Sequence, residues 1–500
     1  MTAILLNYTG TSICSFFCMV IAICTCYLVA HIAYNIFLHP LASYPGPISH
    51  RISIFPRTFQ EVRGQLPFHV AKLHLKYGPV VRIAPNELAF CDVEAWKDIY
   101  GHRQQGEEEF PKYDGFYRPN QSTPSTILSC SREEHTFFRR QLSHGFSDRS
   151  MRAQEPIIQG YVNLLIARLK EQAEGGRKMV DMREWLNWTT FDIIGDLAMG
   201  NSFGCLEKSD YHPWVKLISR SITATSYFQS FAAIFGRDAF TRIVNSGLWR
   251  SRSNHRDLIE ANVMRRMQLG SERLDLIEGL LKKQEDTNMS VRQISLNASR
   301  LIVAGSETTA TLLSGAIFLL LTNREKLARL VNEVRSAFAN TEEISLSTVN
   351  ELPYMLACLN ETLRMYPPVA TGFPRQVPQQ GGIIAGNVVP SGTVVSVFQW
   401  AINHDPRFWT EPSKFKPGRF MGEAGHEDDR LDAMQPFSTG PRNCIGKNLA
   451  YAEMRLILAK IIYSFDMHLA DDTQDWIASQ KCHSMWVKPP LEVYLVPAKV

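Results

Sequence analysis

The sequence predicts a large, mainly α-helical domain with a minor β-sheet, preceded by a single N-terminal transmembrane helix. Three observations carry that prediction. Helical periodicity runs through long stretches of the body, at Glu155–Glu174, Met182–Met199 and Asn323–Phe338. Short β-rich runs cluster early, at Val80–Ala84 and Leu88–Phe90, and late, at Gly382–Gly386, Val388–Val389 and Thr393–Val397. Residues 1–50 hold no Lys, Arg, Asp or Glu.

Taken in order, the anchor comes first. Ile13 to Phe37 is predominantly apolar and exceeds the roughly 20 residues that one helical span needs. Residues 1–37 are therefore read as a membrane anchor. A cleaved signal peptide would want a basic start and a shorter apolar stretch, and neither is present. Residues 38–50, with Pro40, Pro45, Gly46 and Pro47, form a proline-rich hinge that cannot continue a helix. Arg51, Arg57 and Arg63 follow, a bias that puts the body in the cytosol.

Residues 51–500 carry no repeat, low-complexity tract or interdomain linker and read as one domain. Apolar residues at 45% and charged ones at 20% describe a globular chain. A net charge of +4 with no long basic run excludes a nucleic-acid binder. The ten cysteines are scattered, without the spacing of a zinc site or a disulfide framework. The longest helix is expected from about Val291 to Thr322. Its middle is apolar enough to mimic a second span, but Glu307 among Ser306, Thr308, Thr309 and Thr311 argues for a buried core helix.

The most informative segment is Phe437-Ser-Thr-Gly440-Pro-Arg442-Asn-Cys444-Ile-Gly446. Its five fixed positions, each with a chance of about one in twenty, match at random roughly once in several million decamers. A lone thiolate serving a haem iron needs flanking glycines for a tight turn, backbone N–H groups aimed at sulfur and a cation for a propionate. Gly440, Gly446 and Arg442 suit those needs. A free buried cysteine, the usual fate of a single Cys, would predict none of these neighbours.

The decapeptide resembles the haem-binding loop of the cytochrome P450 family, the haem-thiolate monooxygenases. The resemblance implies the cytochrome P450 fold, haem b (iron protoporphyrin IX) with Cys444 as axial thiolate, and O2 as oxidant. Ala304-Gly305-Ser306-Glu307-Thr308-Thr309 resembles the family's distal-side signature. There a threonine hydroxyl hydrogen-bonds the oxygen being cleaved and a carboxylate relays protons. Thr308 and Glu307 take those roles, with Ala304 and Gly305 letting the helix come close. The competing reading has Thr308 bonding back to a carbonyl one turn earlier and Glu307 in a surface salt bridge. Beside the cysteine loop, the relay is favoured.

Glu361-Thr-Leu-Arg364 matches the family's E-x-x-R, whose members share one helix face. By resemblance, Arg419 in Pro417-Gly-Arg419-Phe420 joins them in a buried structural cluster. Propionate partners are Arg442, Arg375 in Gly372-Phe-Pro-Arg375, and the helix His135-Thr-Phe-Phe-Arg139-Arg140. That helix departs from the family's W-x-x-x-R, because His135 replaces the tryptophan. Phe437 completes the cofactor-binding set.

The family pocket would be walled by Phe110–Pro124, Ser219–Phe240, Leu301–Thr309, Val369–Phe373 and His483–Trp486. That aromatic-rich lining implies an apolar small-molecule substrate. No dinucleotide-binding fingerprint is present, so electrons come from NADPH through a separate membrane-bound NADPH–cytochrome P450 reductase. Cytochrome b5 is a second candidate partner, and Lys447, Arg139 and Arg140 are candidates for the docking face. The segments Tyr44–Pro47, Leu142–Ser147 and Thr189–Gly195 are similar to filamentous-fungal members of the isotrichodermin C-15 hydroxylase kind. They point to secondary metabolism on terpenoids or polyketides, at the endoplasmic reticulum membrane. Two rivals remain: a haem-thiolate isomerase or dehydratase without O2 activation, and a non-catalytic membrane haem protein.

Overall fold

Locally encoded caps start the two helices at the centre of this computed structural model, which describes residues 2–103, 107–118, 120, 124–245, 251–268, 270, 275–282, 289–470 and 475–499. The Ser290 hydroxyl accepts the Gln293 N–H and opens Val291–Thr322. Asp181 caps Met182–Met199 through the Arg183 N–H, and Gly200 ends that helix at φ 70°. Both helices have the boundaries the sequence predicts. They pack lengthwise on each other. Gly305 is needed there because a Cβ would run into Ile194, so its smallness serves the packing of the two helices.

Ile302, Ala310, Leu313 and Ile317 are fully buried along the central helix. Of its apolar window, 78% lies inside the fold, which makes it a core helix and not a second span. Asp148–Ala173, Pro353–Met365 and Lys447–Ser464 surround this pair. Asp148–Ala173 begins earlier than its predicted start at Glu155, because Ser147 caps it and Pro156 is accommodated inside.

The larger sheet aligns Val80–Ala84, Glu87–Phe90, Val394–Val397 and Arg375–Gln376 in that order. Glu87–Phe90 and Val394–Val397 run parallel, and the other pairs are antiparallel. All residues of the first three strands are buried, which suits the β-branched composition of Val80–Ala84 and Val394–Val397. Arg375 is carried on the edge strand of this sheet.

An apolar segment of 24 residues, Ser15–Leu38, stands clear of the body over most of its length. At about 1.5 Å per residue it is roughly 36 Å long, enough for a hydrocarbon core of about 30 Å. Its end is fixed to the body. Arg82 donates to the Asn35 carbonyl at 2.8 Å, and Arg51 donates to those of Ile36 at 3.0 Å and Ala42 at 2.7 Å. Residues 38–50, expected as a hinge, are held in place: Arg82 N–H bonds the Pro45 carbonyl at 2.7 Å.

Glu453, on Lys447–Ser464, is buried, and that helix packs against the central helix. Burial lifts its pKa from 4.5 to about 8, with the Thr309 hydroxyl opposing. Between those two pH values the folded state holds a proton that the unfolded state has lost, so stability falls as pH rises through the window. Relative to Glu453→Gln, the parent chain should lose about 1.4 kcal/mol per pH unit there, measured by denaturant unfolding across pH.

Candidate active site

The cysteine loop is shaped by Gly440, at φ 73°. A Cβ there would also collide with the Tyr100 carbonyl oxygen, so glycine answers two demands at once. The Cys444 N–H donates to the Phe437 carbonyl at 2.9 Å and the Asn443 N–H to that of Gly440 at 3.2 Å. The Phe437 ring packs on Tyr451 at 5.3 Å. Cys444 has exposed surface, yet burial pushes its thiol pKa up. Both hold when sulfur opens onto a cleft inside the molecule. The Gly446 N–H, Arg139 and Lys447 pull the other way, toward thiolate. Gly446 has φ −88° and room for a Cβ beside Phe146 at 3.6 Å. Its N–H contributes a hydrogen bond to the Cys444 sulfur.

Beside the loop, cations outnumber carboxylates. Arg442 pairs with Glu109 at 2.5 Å and donates to the Cys130 carbonyl at 3.2 Å. Arg375 shares the same Glu109 oxygen at 3.1 Å and donates to the Phe110 carbonyl at 2.9 Å. Burial works to raise the Glu109 pKa, but Arg442 and Arg375 hold it below the ordinary value. Lys112 joins them: burial, then Arg375 and Arg442, pull its pKa down to about 7. Buried His135 is pulled to about 4 by desolvation and by Arg442, Lys112 and Arg139, so it is a neutral donor at pH 7. Arg139 takes a different place from the expected one. It grips Asn443, at 2.5 Å to the carbonyl and 2.6 Å to Oδ1, next to the cysteine. Arg140 is exposed. Glu109 and Lys112 carry no motif, and sequence reasoning missed both.

Glu361, Arg364 and Arg419 meet with side chains wholly buried. Arg364 bonds both Glu361 oxygens at 2.8 Å, and Arg419 Nε reaches Oε1 at 3.1 Å. Arg364 also donates to the Asn403 and Pro412 carbonyls at 2.8 Å. Asp429 is an unexpected fourth member, paired with the other end of Arg419.

On the central helix, Ala304 is exposed and Thr308 half-buried, one turn apart on the same face. The Thr308 hydroxyl donates to the Ala304 carbonyl at 2.6 Å, as the competing reading had it. Glu307 is buried in an ion pair with Lys488 at 2.5 Å, and Lys488 also donates to Thr311 at 2.7 Å. The salt bridge is thus internal, not on the surface. Lys488 lies far along the chain with no local signal, and sequence reasoning missed it.

Two aromatics assigned to the pocket wall belong to the core. Phe110 is buried under the Arg103 guanidinium, 4.4 Å from its ring. Trp486 donates to the Pro367 carbonyl at 2.8 Å and stacks near Tyr366 at 4.4 Å. Parts of Phe110–Pro124 and Ser219–Phe240 lie outside the described residues. A small pocket at Phe116, Thr371, Phe398 and Ser484 also meets Arg57, Glu61 and Glu87. Arg57 pairs with Glu61 at 2.5 Å and Glu87 at 2.8 Å, so this wall is charge-paired rather than charge-poor.

A family model described as Cytochrome P450 matches residues 45–496. The chain belongs to the cytochrome P450 family. It is 46% identical over 484 residues to the cytochrome P450 monooxygenase tpeC of Talaromyces stipitatus, covering 96% of this chain and 95% of that protein. It is 45% identical over 471 residues to cytochrome P450 monooxygenase 1 of Neocamarosporium betae, at 94% and 96% coverage. To the trichothecene C-15 hydroxylase of Fusarium sporotrichioides it is 44% identical over 483 residues, again at 94% and 96%. This P450 is a monooxygenase of the fungal type, and the family implies haem with a cysteine thiolate, O2, a small-molecule substrate and a redox partner.

The residues present fit that group. Two guanidiniums near the exposed Cys444, Arg375 and Arg442, share one carboxylate, Glu109, and they help to pull the pKa of nearby Lys112 down to about 7, so an anion arriving there would restore its charge. The uncompensated positive charge suits the two propionates of haem.

The buried Lys488–Glu307 pair makes its own prediction. Lys488→Met should destabilise the P450 by roughly 3–5 kcal/mol, because it strands Glu307. Adding Glu307→Gln should recover most of that loss in denaturant unfolding.

Proposed function

We propose that this P450 hydroxylates or epoxidises an apolar fungal secondary metabolite, such as a terpenoid or polyketide, using O2 and electrons from NADPH. The observation that carries the reading is the exposed Cys444 in its glycine-shaped loop, near two arginines that share a single carboxylate. The fungal relatives, one of them named as a trichothecene C-15 hydroxylase, support the substrate class. Cys444 would hold the haem iron through its thiolate, with Phe437, Gly440, Arg442 and Gly446 shaping its loop. Arg375, Arg442 and Lys112 hold the propionates and His135 donates a neutral hydrogen bond. Arg139 positions Asn443 and favours the thiolate. Glu361, Arg364 and Arg419 are structural.

When bound, haem ligated by the Cys444 thiolate would supply the oxygen-activating chemistry, with the electrons coming from NADPH. The protein manages protons. Thr308 presents a hydroxyl that accepts as well as donates, so it can keep its Ala304 bond while receiving a hydrogen bond. Glu307 can pass a proton toward Thr308 only when its pair with Lys488 opens, which makes that pair a gate on delivery. Small residues at Ala304 and Thr308 leave the cleft side of the helix open.

Residues 1–37 act as the anchor, 38–50 as the connection and 51–500 as the catalytic domain, facing the cytosol from the endoplasmic reticulum membrane. Electrons arrive from a separate NADPH–cytochrome P450 reductase, with cytochrome b5 as a further donor. Lys447 and exposed Arg140 are candidate docking cations on the cysteine side.

The full-length P450, reconstituted with a reductase and supplied with labelled O2, should put one labelled atom into product, with NADPH required. Product formed without NADPH and O2 would instead support an isomerase. Thr308→Ala should keep haem binding but divert most reducing equivalents to hydrogen peroxide. Normally coupled turnover in that variant would remove Thr308 from the relay.

A further inference from the structure

The point where the chain leaves the anchor is fixed to the body through Asn35, Ile36, Arg51 and Arg82. Ile48–Ile52 packs against the end of the anchor, and Phe55–Val62 packs next to Ile48–Ile52. This corner presents apolar side chains outward. Ile48 is 65% exposed, Phe55 60% and Phe59 57%. Phe55 and Phe59 lie one turn apart, on one face of their short helix. Such residues beside a membrane span suit insertion among acyl chains.

Next to them is a cleft of about 360 Å³, lined by Gln60, Arg63, Gln65, Phe68, His69, Lys72 and Lys481. Arg63, Lys72 and Lys481 are exposed, and no Asp or Glu lines the cleft. Among the described residues none of these three cations has an ion-pair partner. The Arg63 guanidinium rests over the Phe59 ring, 5.3 Å from its centroid, so the basic cleft and the apolar corner are continuous. His69 ties the cleft wall back to the anchor side: its Nε2 is 3.1 Å from Nε2 of His50, with the rings stacked at 5.1 Å.

We propose that this cleft seats the phosphate headgroup of an anionic phospholipid from the leaflet that holds the anchor. Arg63, Lys72 and Lys481 neutralise the phosphodiester, Gln60 and Gln65 offer amide donors, and Phe55 and Phe59 meet the acyl region. The tether fixes the membrane to this corner, which is why the three cations meet a lipid rather than a soluble anion. The proposal concerns a face of the molecule separate from the haem cleft and stands whatever the oxidised substrate is.

The test uses the full-length holoprotein in phosphatidylcholine bilayers, with electron paramagnetic resonance of spin-labelled phosphatidylserine and spin-labelled phosphatidylcholine. The parent chain should immobilise the serine label several-fold more strongly than the choline label. Arg63→Gln/Lys72→Gln/Lys481→Gln should bring that ratio to about one. Lys170→Gln/Lys178→Gln/Lys208→Gln, an equal loss of charge elsewhere, should leave the preference intact. No preference in the parent chain, or its survival in the cleft variant, would overturn the proposal. So would equal loss in the control, and so would a larger loss in phosphate than in chloride of equal ionic strength, which marks a soluble-anion site.

Discussion

The Glu361 carboxylate, wholly buried between two guanidiniums, fixes the approach to the cysteine loop. Burying three ions costs several kcal/mol each unless every hydrogen-bonding position finds a partner. Here the partners are mostly backbone. Arg364 takes the Asn403 and Pro412 carbonyls, Arg419 that of Thr410, and Glu361 accepts the Lys416 N–H at 2.9 Å. Asp429 balances the second arginine. The cluster therefore cross-links Pro353–Met365 to the 403–419 segment, and the chain then runs on through Asp429 to the decapeptide. A loop with exposed sulfur and two residues at positive φ, Ser438 and Gly440, needs that fixed lead-in.

Charge shapes the cleft in a complementary way. The brace balances its ions internally, whereas Arg375 and Arg442 face one carboxylate, leave positive charge over and hold Lys112 near the point of losing its proton. A protein that merely folded around these residues would gain by losing one of them. Their retention beside an accessible thiol makes sense when an anionic group completes the site. On the central helix, Ala304 is exposed and Thr308 half-buried, while Glu307 is buried in its pair with Lys488.

How much of this was legible in the sequence follows from how local each signal is. Val291–Thr322 and Met182–Met199 were bounded correctly because caps and periodicity lie within a few residues of each end. Glu361 and Arg364 were legible for the same reason, and Arg419 because its own segment resembles a family motif. Asp429, Lys112, Glu109 and Lys488 were not, since each meets its partner only after the chain has folded back and none sits in a patterned run. Arg139 shows the limit within a motif: helix spacing gave its face, but only the fold shows that the near partner is Asn443. Phe110 and Trp486 show another, because composition cannot separate an aromatic lining a pocket from one filling a core.

Thiolate ligation by Cys444 is read out in the reduced carbon monoxide spectrum of the purified full chain. The red-shifted Soret band of a haem thiolate should be present in the parent chain and lost in Cys444→Ala. A haem-loaded parent chain without that band, or a Cys444→Ala variant that keeps it, would show that Cys444 is not the ligand.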